Sequence, residues 1–214
     1  MGHYFYQPIF EIDGKKYYSG KGFLIEVLKD RYFVTAHHLF GPAGGYKRNF
    51  RWDEMSNITD LKLVNPLTKD RFSIGPGINI VGAEPAFSGN YSADIAVFRA
   101  PNIEDDVSPL TKVPPKVGET VWLYSSSQTD GVFHPAYVVE SSENRLLYQF
   151  FDSDFKLKAT SGAPVLNEKG EVVAINILGS VSNSRVIGLG NPVSIFLSKI
   201  ESAIARDVER KMDK

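Results

Sequence analysis

The sequence predicts an all-β fold of two antiparallel lobes followed by a C-terminal helix. Short runs rich in Val, Ile, Tyr and Phe are separated by turn residues that include many of the 18 glycines and 12 prolines, which is typical of antiparallel strands. Two groups of about six such runs follow one another without an intervening helical period. A helical period appears only in the last stretch of the chain. This order favours paired barrels or a large sandwich over folds in which strands and helices alternate.

The first group of runs predicts the N-terminal lobe. Apolar and aromatic residues fill each run, and turn signals such as Asp13-Gly14 separate the runs. The predicted strands are residues 4–12, 17–28, 32–36, 60–64, 71–74, 78–82 and 95–99. A proline-rich stretch of low apolar content at 109–115 then breaks the pattern. We expect this stretch to link the two lobes.

The second group predicts the C-terminal lobe, after which the chain ends in a helix. The predicted strands are residues 120–124, 133–140, 145–151, 163–167, 172–178 and 186–189. The helix that follows has one apolar face, formed by Ile195, Phe196, Ile200, Ala203 and Ile204. Ser194 is its predicted N-cap, and the charged end from Asp207 is expected to be solvated. The expected domains are residues 1–112 and 113–192 for the two lobes, with 193–214 as the helix and its charged tail.

The composition excludes several kinds of site. The 214 residues carry 24 Lys or Arg against 25 Asp or Glu, so no field of one sign points to nucleic acid or to an anionic membrane. Cysteine is absent, which excludes disulfides, cysteine-rich zinc sites and thiol nucleophiles. No apolar run approaches the ~18 residues that a membrane span requires. Because there is no thiol, any nucleophile must be an oxygen or a nitrogen atom.

The natural compartment stays open at this point. The N-terminal residues lack the basic and apolar blocks of a signal peptide, so the sequence as it stands is expected to be cytoplasmic. A chain from which an export signal had been removed would instead be periplasmic or secreted. The sequence also leaves the oligomeric state open.

Three segments pair a reactive side chain with local structure that would expose it. The hairpin that starts with SGKGFLI at 19–25 ends in His37 and His38. Asp94 opens the apolar strand of the segment SADIAVF at 92–98. Ser161 lies in the turn of the segment ATSGAPVL at 159–166, whose small residues let a substrate backbone come close.

These segments resemble the motifs of chymotrypsin-fold, trypsin-like serine peptidases. In that family the histidine follows Thr-Ala-Ala or a related tripeptide, the aspartate opens an Asp-Ile-Ala-Leu-like strand, and the serine lies in Gly-Asp-Ser-Gly-Gly-Pro or Gly-Asn-Ser-Gly-Gly-Pro. His38, Asp94 and Ser161 match these positions, in the family's order, and the resemblance spans roughly residues 10 to 200. The hairpins beside His38 and Ser161 are most similar to those of the cysteine-free bacterial branch, which contains high-temperature-requirement proteases and glutamyl endopeptidases. The resemblance implies two antiparallel six-stranded β-barrels with the cleft between them, followed by the helix.

The resemblance also implies a serine endopeptidase that hydrolyses polypeptides through an acyl-enzyme and needs no cofactor. His38 would be the base that activates the Ser161 hydroxyl, and Asp94 would hold the imidazole in the productive tautomer. Backbone N–H groups would bind the oxyanion, and the residues implied for this role are Ala159, Thr160 and Ser161. The residues implied for substrate binding are Phe155, Lys156, Ile177, Leu178 and Gly179. Phe155 stands where trypsin carries its specificity Asp, which disfavours a preference for Lys or Arg.

Two residues depart from the family pattern. Ala159 replaces the oxyanion-hole glycine, and its Cβ disfavours the positive φ that aims the N–H donor. Thr160 stands where trypsin has the Asp that pairs with a newly freed N-terminus, so activation by that cleavage is not expected. The alternative function is a catalytically weak or inactive pseudoprotease that binds peptides or proteins. A third alternative, a β-rich assembly domain, would leave His38, Asp94 and Ser161 far apart.

The remaining histidines are expected to be structural. His37 and His38 would face opposite sides of a strand, so at most one of them serves the cleft, and His37 is expected to be hydrogen-bonded or exposed. His134 precedes Pro135 in a predicted strand, where a structural or surface role is expected. The adjacent spacing of His37 and His38 suits a shared metal poorly, so we expect no metal site.

Overall fold

The computed structural model describes residues 5–12, 14–18, 20–125 and 132–212. Asp13 and Ser19, which belong to motifs discussed above, lie outside the described residues, as does the predicted start of the first strand at Tyr4.

The N-terminal lobe is one seven-stranded antiparallel sheet. Its strands are β1 (Phe5–Ile12), β2 (Lys15–Tyr18), β3 (Gly22–Val27), β4 (Asp30–Thr35), β5 (Leu61–Val64), β6 (Arg71–Ile74) and β7 (Ala96–Arg99). They lie in the order β6-β5-β1-β3-β4-β7, with β2 paired to β1. The β3–β4 hairpin carries the chain to the histidines, and β7 follows Asp94 directly, so adjacent strands bring these two motifs together.

The two edges of this sheet meet without forming a strand ladder, so the predicted first six-stranded barrel is not confirmed as closed. Gly75 N–H donates to the Arg99 carbonyl at 2.7 Å, and a single isolated bridge joins Gly77 to Phe98. Pro76 has no N–H to give, and glycines contribute no side chain to pack, so this segment contacts β7 without becoming a strand. The predicted strand at 78–82 is wrong: Ile78 N–H donates to the Val97 carbonyl at 2.8 Å, but Val81 and Gly82 already lie in a turn.

The predicted strand at 17–28 is divided in two at Gly20 and Lys21. Gly20 has φ +57°, and a Cβ there would lie 2.5 Å from the Ser161 carbonyl oxygen. The chain bends here because the second lobe approaches the backbone more closely than a side chain would allow.

The C-terminal lobe is a closed six-stranded antiparallel barrel, as the sequence predicts. Its strands are β8 (Thr120–Tyr124), β9 (Phe133–Ser141), β10 (Leu146–Phe150), β11 (Pro164–Leu166), β12 (Val172–Ser182) and β13 (Arg185–Pro192). They close in the order β10-β13-β12-β11-β8-β9. The β12–β13 hairpin is longer than predicted because Asn183 and Ser184 both adopt positive φ at its tip, the conformation that tight hairpin turns need.

The predicted C-terminal helix is confirmed as α1 (Val193–Met212). It begins at Val193, two residues before the start that an N-cap at Ser194 implies, so Ser194 lies in its first turn. Phe196 and Ile200 are fully buried in a cluster that also contains Phe5 and Val34 of the N-terminal sheet and Ile175 of the barrel. The helix therefore covers a core shared by both lobes. Among the helices of the described part of the chain, none combines the length and apolar content needed to cross a lipid bilayer.

Candidate active site

His38 lies just beyond the end of β4, in a short 3-10 turn formed by His37–Phe40. The two histidines are thus in a turn and not in the strand that we expected, and both are buried. His38 Nδ1 lies 2.7 Å from Asp94 Oδ2, and the His38 backbone N–H donates to Asp94 Oδ1 at 3.0 Å. An ionised carboxylate only accepts hydrogen bonds, so pairing with it puts the proton on Nδ1 and leaves Nε2 with its lone pair.

Asp94 is completely buried immediately before β7. Besides the two donors of His38, its Oδ2 accepts the Ala86 backbone N–H at 3.0 Å. Three donors thus surround a carboxylate that has no access to water, which satisfies the requirement for burying such a group. The imidazole is held in a fixed orientation by a carboxylate that is itself fixed.

Phe87 is a site residue that the motifs did not reveal. Its ring lies 5.7 Å from the His38 ring, centroid to centroid, in an edge arrangement, yet 70% of the residue is exposed. The preceding residue, Ala86, is the one that donates to Asp94. The same short segment therefore braces the carboxylate and places an apolar surface beside the imidazole.

Ser161 lies in the turn before β11, against the β2–β3 connection of the other lobe. Its carbonyl accepts the Lys21 backbone N–H at 2.8 Å. The next residue, Gly162, has φ +85°, and a Cβ there would lie 2.0 Å from the Lys21 carbonyl oxygen. Only glycine allows this approach, so the serine turn is anchored to the N-terminal lobe.

The Ser161 hydroxyl donates to the Ile177 carbonyl at 3.0 Å. Ser161 and His38 both lie in the described part of the chain, and no hydrogen bond joins them. The histidine and the carboxylate are therefore paired in this conformation, whereas the hydroxyl is turned toward β12.

The turn that precedes Ser161 leaves two N–H donors free. Thr160 N–H closes the turn on the Leu157 carbonyl at 3.3 Å, and Ala159 has φ +62° at its third position, as in a type II turn. The N–H groups of Ala159 and Ser161 have no acceptor among the described residues. Of the three expected oxyanion donors, Thr160 is thus used within the turn. The methyl group of Ala159 does not prevent the left-handed conformation.

Two side chains fill the region that the resemblance assigns to substrate recognition. Phe155 is buried against Phe150 and His134, with ring centroids 4.4 and 4.2 Å apart. Leu157 covers Gly179, where an added Cβ would lie 2.5 Å from Leu157 Cδ1.

The other residues expected to bind substrate differ in exposure. Lys156 is exposed, Leu178 is half-buried, and Ile177 is buried with its carbonyl bonded to Ser161. Beside Leu157 lies an open cleft of about 510 Å³, lined by residues 153–158, Val181 and Ser184.

His37 and His134, the other two histidines in the described part of the chain, have structural partners. His37 Nε2 lies 2.8 Å from the Phe50 carbonyl and His134 Nε2 lies 2.9 Å from the Ser125 carbonyl. Within the described ranges, no three His, Asp or Glu side chains converge as metal ligands. Burial lowers the pKa of Lys21, whose side chain forms no ion pair with any described residue. The motifs gave no sign of this buried ammonium.

Comparison with known proteins identifies a matching family and several solved structures of similar fold. The family model for the trypsin-like peptidase domain matches residues 20–175. Comparison with curated protein sequences finds no match.

Three solved structures illustrate the similarity of fold. The active form of a protease from M. tuberculosis aligns with a TM-score of 0.64 at 14% identity, over 94% of this chain and 80% of the other. A serine endoprotease from Yersinia pestis aligns with a TM-score of 0.62 at 14% identity, over 94% of this chain and 62% of the other. Neuropsin, a serine protease from mouse brain, aligns with a TM-score of 0.60 at 14% identity, over 92% of this chain and 93% of the other. At such identities these structures bear on the fold alone.

Proposed function

The chain belongs to the trypsin-like peptidase family, and we propose that His38, Asp94 and Ser161 are its catalytic triad. The observation that carries the proposal is the buried 2.7 Å pair of His38 and Asp94. This pair leaves Nε2 able to accept a proton. The turn of Ser161 supports the proposal because it offers two N–H groups that find no acceptor within the described ranges.

In the proposed reaction, Ser161 Oγ attacks the carbonyl carbon of a peptide bond while His38 Nε2 takes the hydroxyl proton. Asp94 stabilises the imidazolium that forms. The N–H groups of Ala159 and Ser161 donate to the developing oxyanion. His38 then gives its proton to the leaving nitrogen as the C–N bond breaks. Water, deprotonated by the same imidazole, hydrolyses the acyl-enzyme and restores the Ser161 hydroxyl.

The two lobes divide this work in the proposal. His38 and Asp94 come from residues 1–112 and Ser161 comes from residues 113–192, with 193–214 closing the shared core. The hydrogen bond from Lys21 N–H to the Ser161 carbonyl supports a cleft between the lobes, since it joins them next to the nucleophile. A polypeptide substrate would lie along this cleft.

The hydroxyl must change its partner for catalysis. We propose that it leaves the Ile177 carbonyl for His38 Nε2 when substrate binds, because catalytic hydrogen bonds commonly tighten only in the substrate complex. The hydrogen bond from the Ser161 hydroxyl to the Ile177 carbonyl also favours a second candidate function. A pseudoprotease would keep the hydroxyl on Ile177 permanently and bind peptides without cleaving them.

A fluorophosphonate probe separates the two candidates. In the proposed triad Ser161 Oγ attacks phosphorus, fluoride leaves and His38 accepts the proton, so the wild type is labelled and peptide mapping finds the label on Ser161. Ser161→Ala abolishes labelling, whereas Ser182→Ala, a control in the β12–β13 hairpin, leaves it unchanged. Folded wild type that stays unlabelled would favour the peptide-binding candidate.

A further inference from the structure

A line of buried polar side chains runs from the C-terminal barrel to the turn before Ser161. The Tyr148 hydroxyl donates to Asn176 Oδ1 at 2.5 Å. Asn176 Nδ2 donates to Thr160 Oγ1 at 3.1 Å, and Thr160 Oγ1 donates to the Leu157 carbonyl at 2.7 Å. Tyr148, Asn176 and Thr160 are only 0%, 1% and 4% exposed, respectively. The line ends on the carbonyl that opens the turn.

Each hydrogen bond in this line has a fixed direction. The Leu157 carbonyl can only accept, so the Thr160 hydroxyl proton points to it and the hydroxyl oxygen must accept from the Asn176 amide. The Asn176 carbonyl oxygen is then the acceptor for Tyr148. Burial raises the pKa of Tyr148, so the phenol keeps the proton that it donates. Because every donor and acceptor in this line is fixed, the three side chains have a single hydrogen-bonded arrangement.

The backbone of Asn176 holds the other side of Ser161. The Gly162 N–H donates to the Asn176 carbonyl at 2.7 Å, and the Asn176 N–H donates to the Ala163 carbonyl at 2.8 Å. One residue of β12 therefore fixes the segment before the nucleophile through its side chain and the segment after it through its backbone.

The turn needs such support because its conformation is strained. A residue with a Cβ at positive φ is destabilised by about 1–2 kcal/mol, and Ala159 adopts φ +62°. Thr160 carries no charge that could anchor the turn through an ion pair. The network joins this turn to β12 and β10 through three successive hydrogen bonds, of which the bond from Thr160 to Leu157 closes the turn itself. Breaking any of them would leave buried polar groups without partners, which is costly.

We propose that Tyr148, Asn176 and Thr160 are positioning residues that hold the turn at 157–161, so that the N–H groups of Ala159 and Ser161 face the reacting carbonyl. They set the rate of the chemical step without touching substrate. This inference rests on the proposed function, because it concerns the oxyanion donors of that reaction.

The test measures fluorophosphonate inactivation, which needs no identified substrate and places a developing charge on the phosphoryl oxygen. The maximal rate kinact and the concentration for half-maximal rate KI are determined for Thr160→Val, Thr160→Ser and Tyr148→Phe. Loss of a single oxyanion donor lowers turnover by roughly 10²–10³. We expect Thr160→Val to lower kinact by up to about 10² with KI little changed, and Tyr148→Phe to lower it less. Thr160→Ser, which keeps the hydroxyl, should stay close to the wild type.

Tyr6→Phe is the matched control. Tyr6 is also fully buried, and its hydroxyl donates to Asp105, another residue of the N-terminal lobe, away from the turn at 157–161. Tyr6→Phe and Tyr148→Phe should both lower the midpoint of thermal unfolding, but only Tyr148→Phe should lower kinact. Tyr148→Phe keeps the ring in the core, so it carries the test even where Thr160→Val does not fold.

Two results would overturn the inference in distinguishable ways. If the wild type is labelled at Ser161 while Tyr148→Phe loses thermal stability and keeps its kinact, the network is merely structural and the proposed function stands. If folded wild type is not labelled at all, the proposed function fails and the positioning role fails with it.

Discussion

At the scale of single residues, Ala159 is the residue on which the proposed oxyanion donors most depend. Its Cβ makes positive φ unfavourable, yet the residue is left-handed and its N–H is free of described acceptors. The turn bond from Thr160 N–H to the Leu157 carbonyl and the side-chain bond from Thr160 to the same oxygen both support this conformation. The strain is thus borne by the turn, and in the proposed reaction the Ala159 N–H stays available to the oxyanion.

Ala159→Gly tests this interpretation. Glycine removes the strain of about 1–2 kcal/mol but loses more conformational entropy on folding, so the free energy of unfolding should change by about 1 kcal/mol or less. Turnover should rise by less than tenfold, since the N–H is already free. A rise of about 10² or more would mean that the donor of the wild type is misaligned. Ala159→Val, with a β-branched side chain at positive φ, should lower turnover and serves as the opposite control.

At the scale of elements, the segment before the serine turn and the strand β12 together limit the space for a substrate side chain. Phe155 is packed into the barrel core and Leu157 lies over Gly179. Charged residues surround them in the sequence, yet the structure buries Phe155 and partly buries Leu157. If this region binds the substrate side chain, as we propose, Leu157 limits the size of the side chain that fits.

A preference for small residues follows from this packing. Profiling on a peptide library should show cleavage by the wild type after Ala, Gly or Ser and little after Lys, Arg or aromatic residues. Leu157→Ala should admit larger apolar side chains and shift the ratio of kcat/KM values by roughly 10–200-fold, the range for a changed apolar contact. Lys156→Ala, at an exposed neighbour, is the control. An unchanged profile for Leu157→Ala would show that this side chain does not limit the site.

The elements that the sequence predicted correctly are those whose pattern is local. Most strands and the helix follow from apolar periods, and the family resemblance is confirmed by the match over residues 20–175. The division at Gly20 was missed because it depends on the approach of Ser161, far along the chain. The strand predicted at 78–82 failed because the chain leaves β7 after Ile78 and turns at Val81 and Gly82.

At the scale of the whole molecule, contacts between distant segments complete the candidate site. The order of motifs along the chain predicted His38, Asp94 and Ser161, and the structure pairs His38 with Asp94. Phe87 beside His38 was not predictable in this way, since it belongs to no recognised motif. The Tyr148–Asn176–Thr160 line was equally hidden, because its members come from β10, β12 and a turn.

Lys21 lies where the two lobes meet and affects the stability of the whole fold. Its pKa is lowered because burial penalises the charged ammonium. Between this lowered pKa and the ordinary pKa of lysine, the unfolded chain binds more protons than the folded chain, so stability rises with pH in that window. Below the window the ammonium is charged in both states and the burial penalty is fully present.

Lys21→Met should therefore be more stable than the wild type at neutral pH, because it keeps the length of the side chain and removes the buried charge. The difference in the free energy of unfolding, measured by urea titration at a series of pH values, should shrink as the pH rises through the window. Lys62→Met, at an exposed position of β5, should show no such trend. A Lys21→Met variant that is less stable at neutral pH would indicate that the ammonium has a favourable partner.

The most direct test of the account is the coupling between His38 and Ser161. Hydrolysis of the best peptide from the library is measured for Ser161→Ala, His38→Ala and the double variant, each checked for folding. If the imidazole and the hydroxyl act as one unit, each single change lowers turnover by up to roughly 10⁶ and the double change lowers it no further. Small losses that multiply in the double variant would show that the two groups act independently, and would contradict the triad.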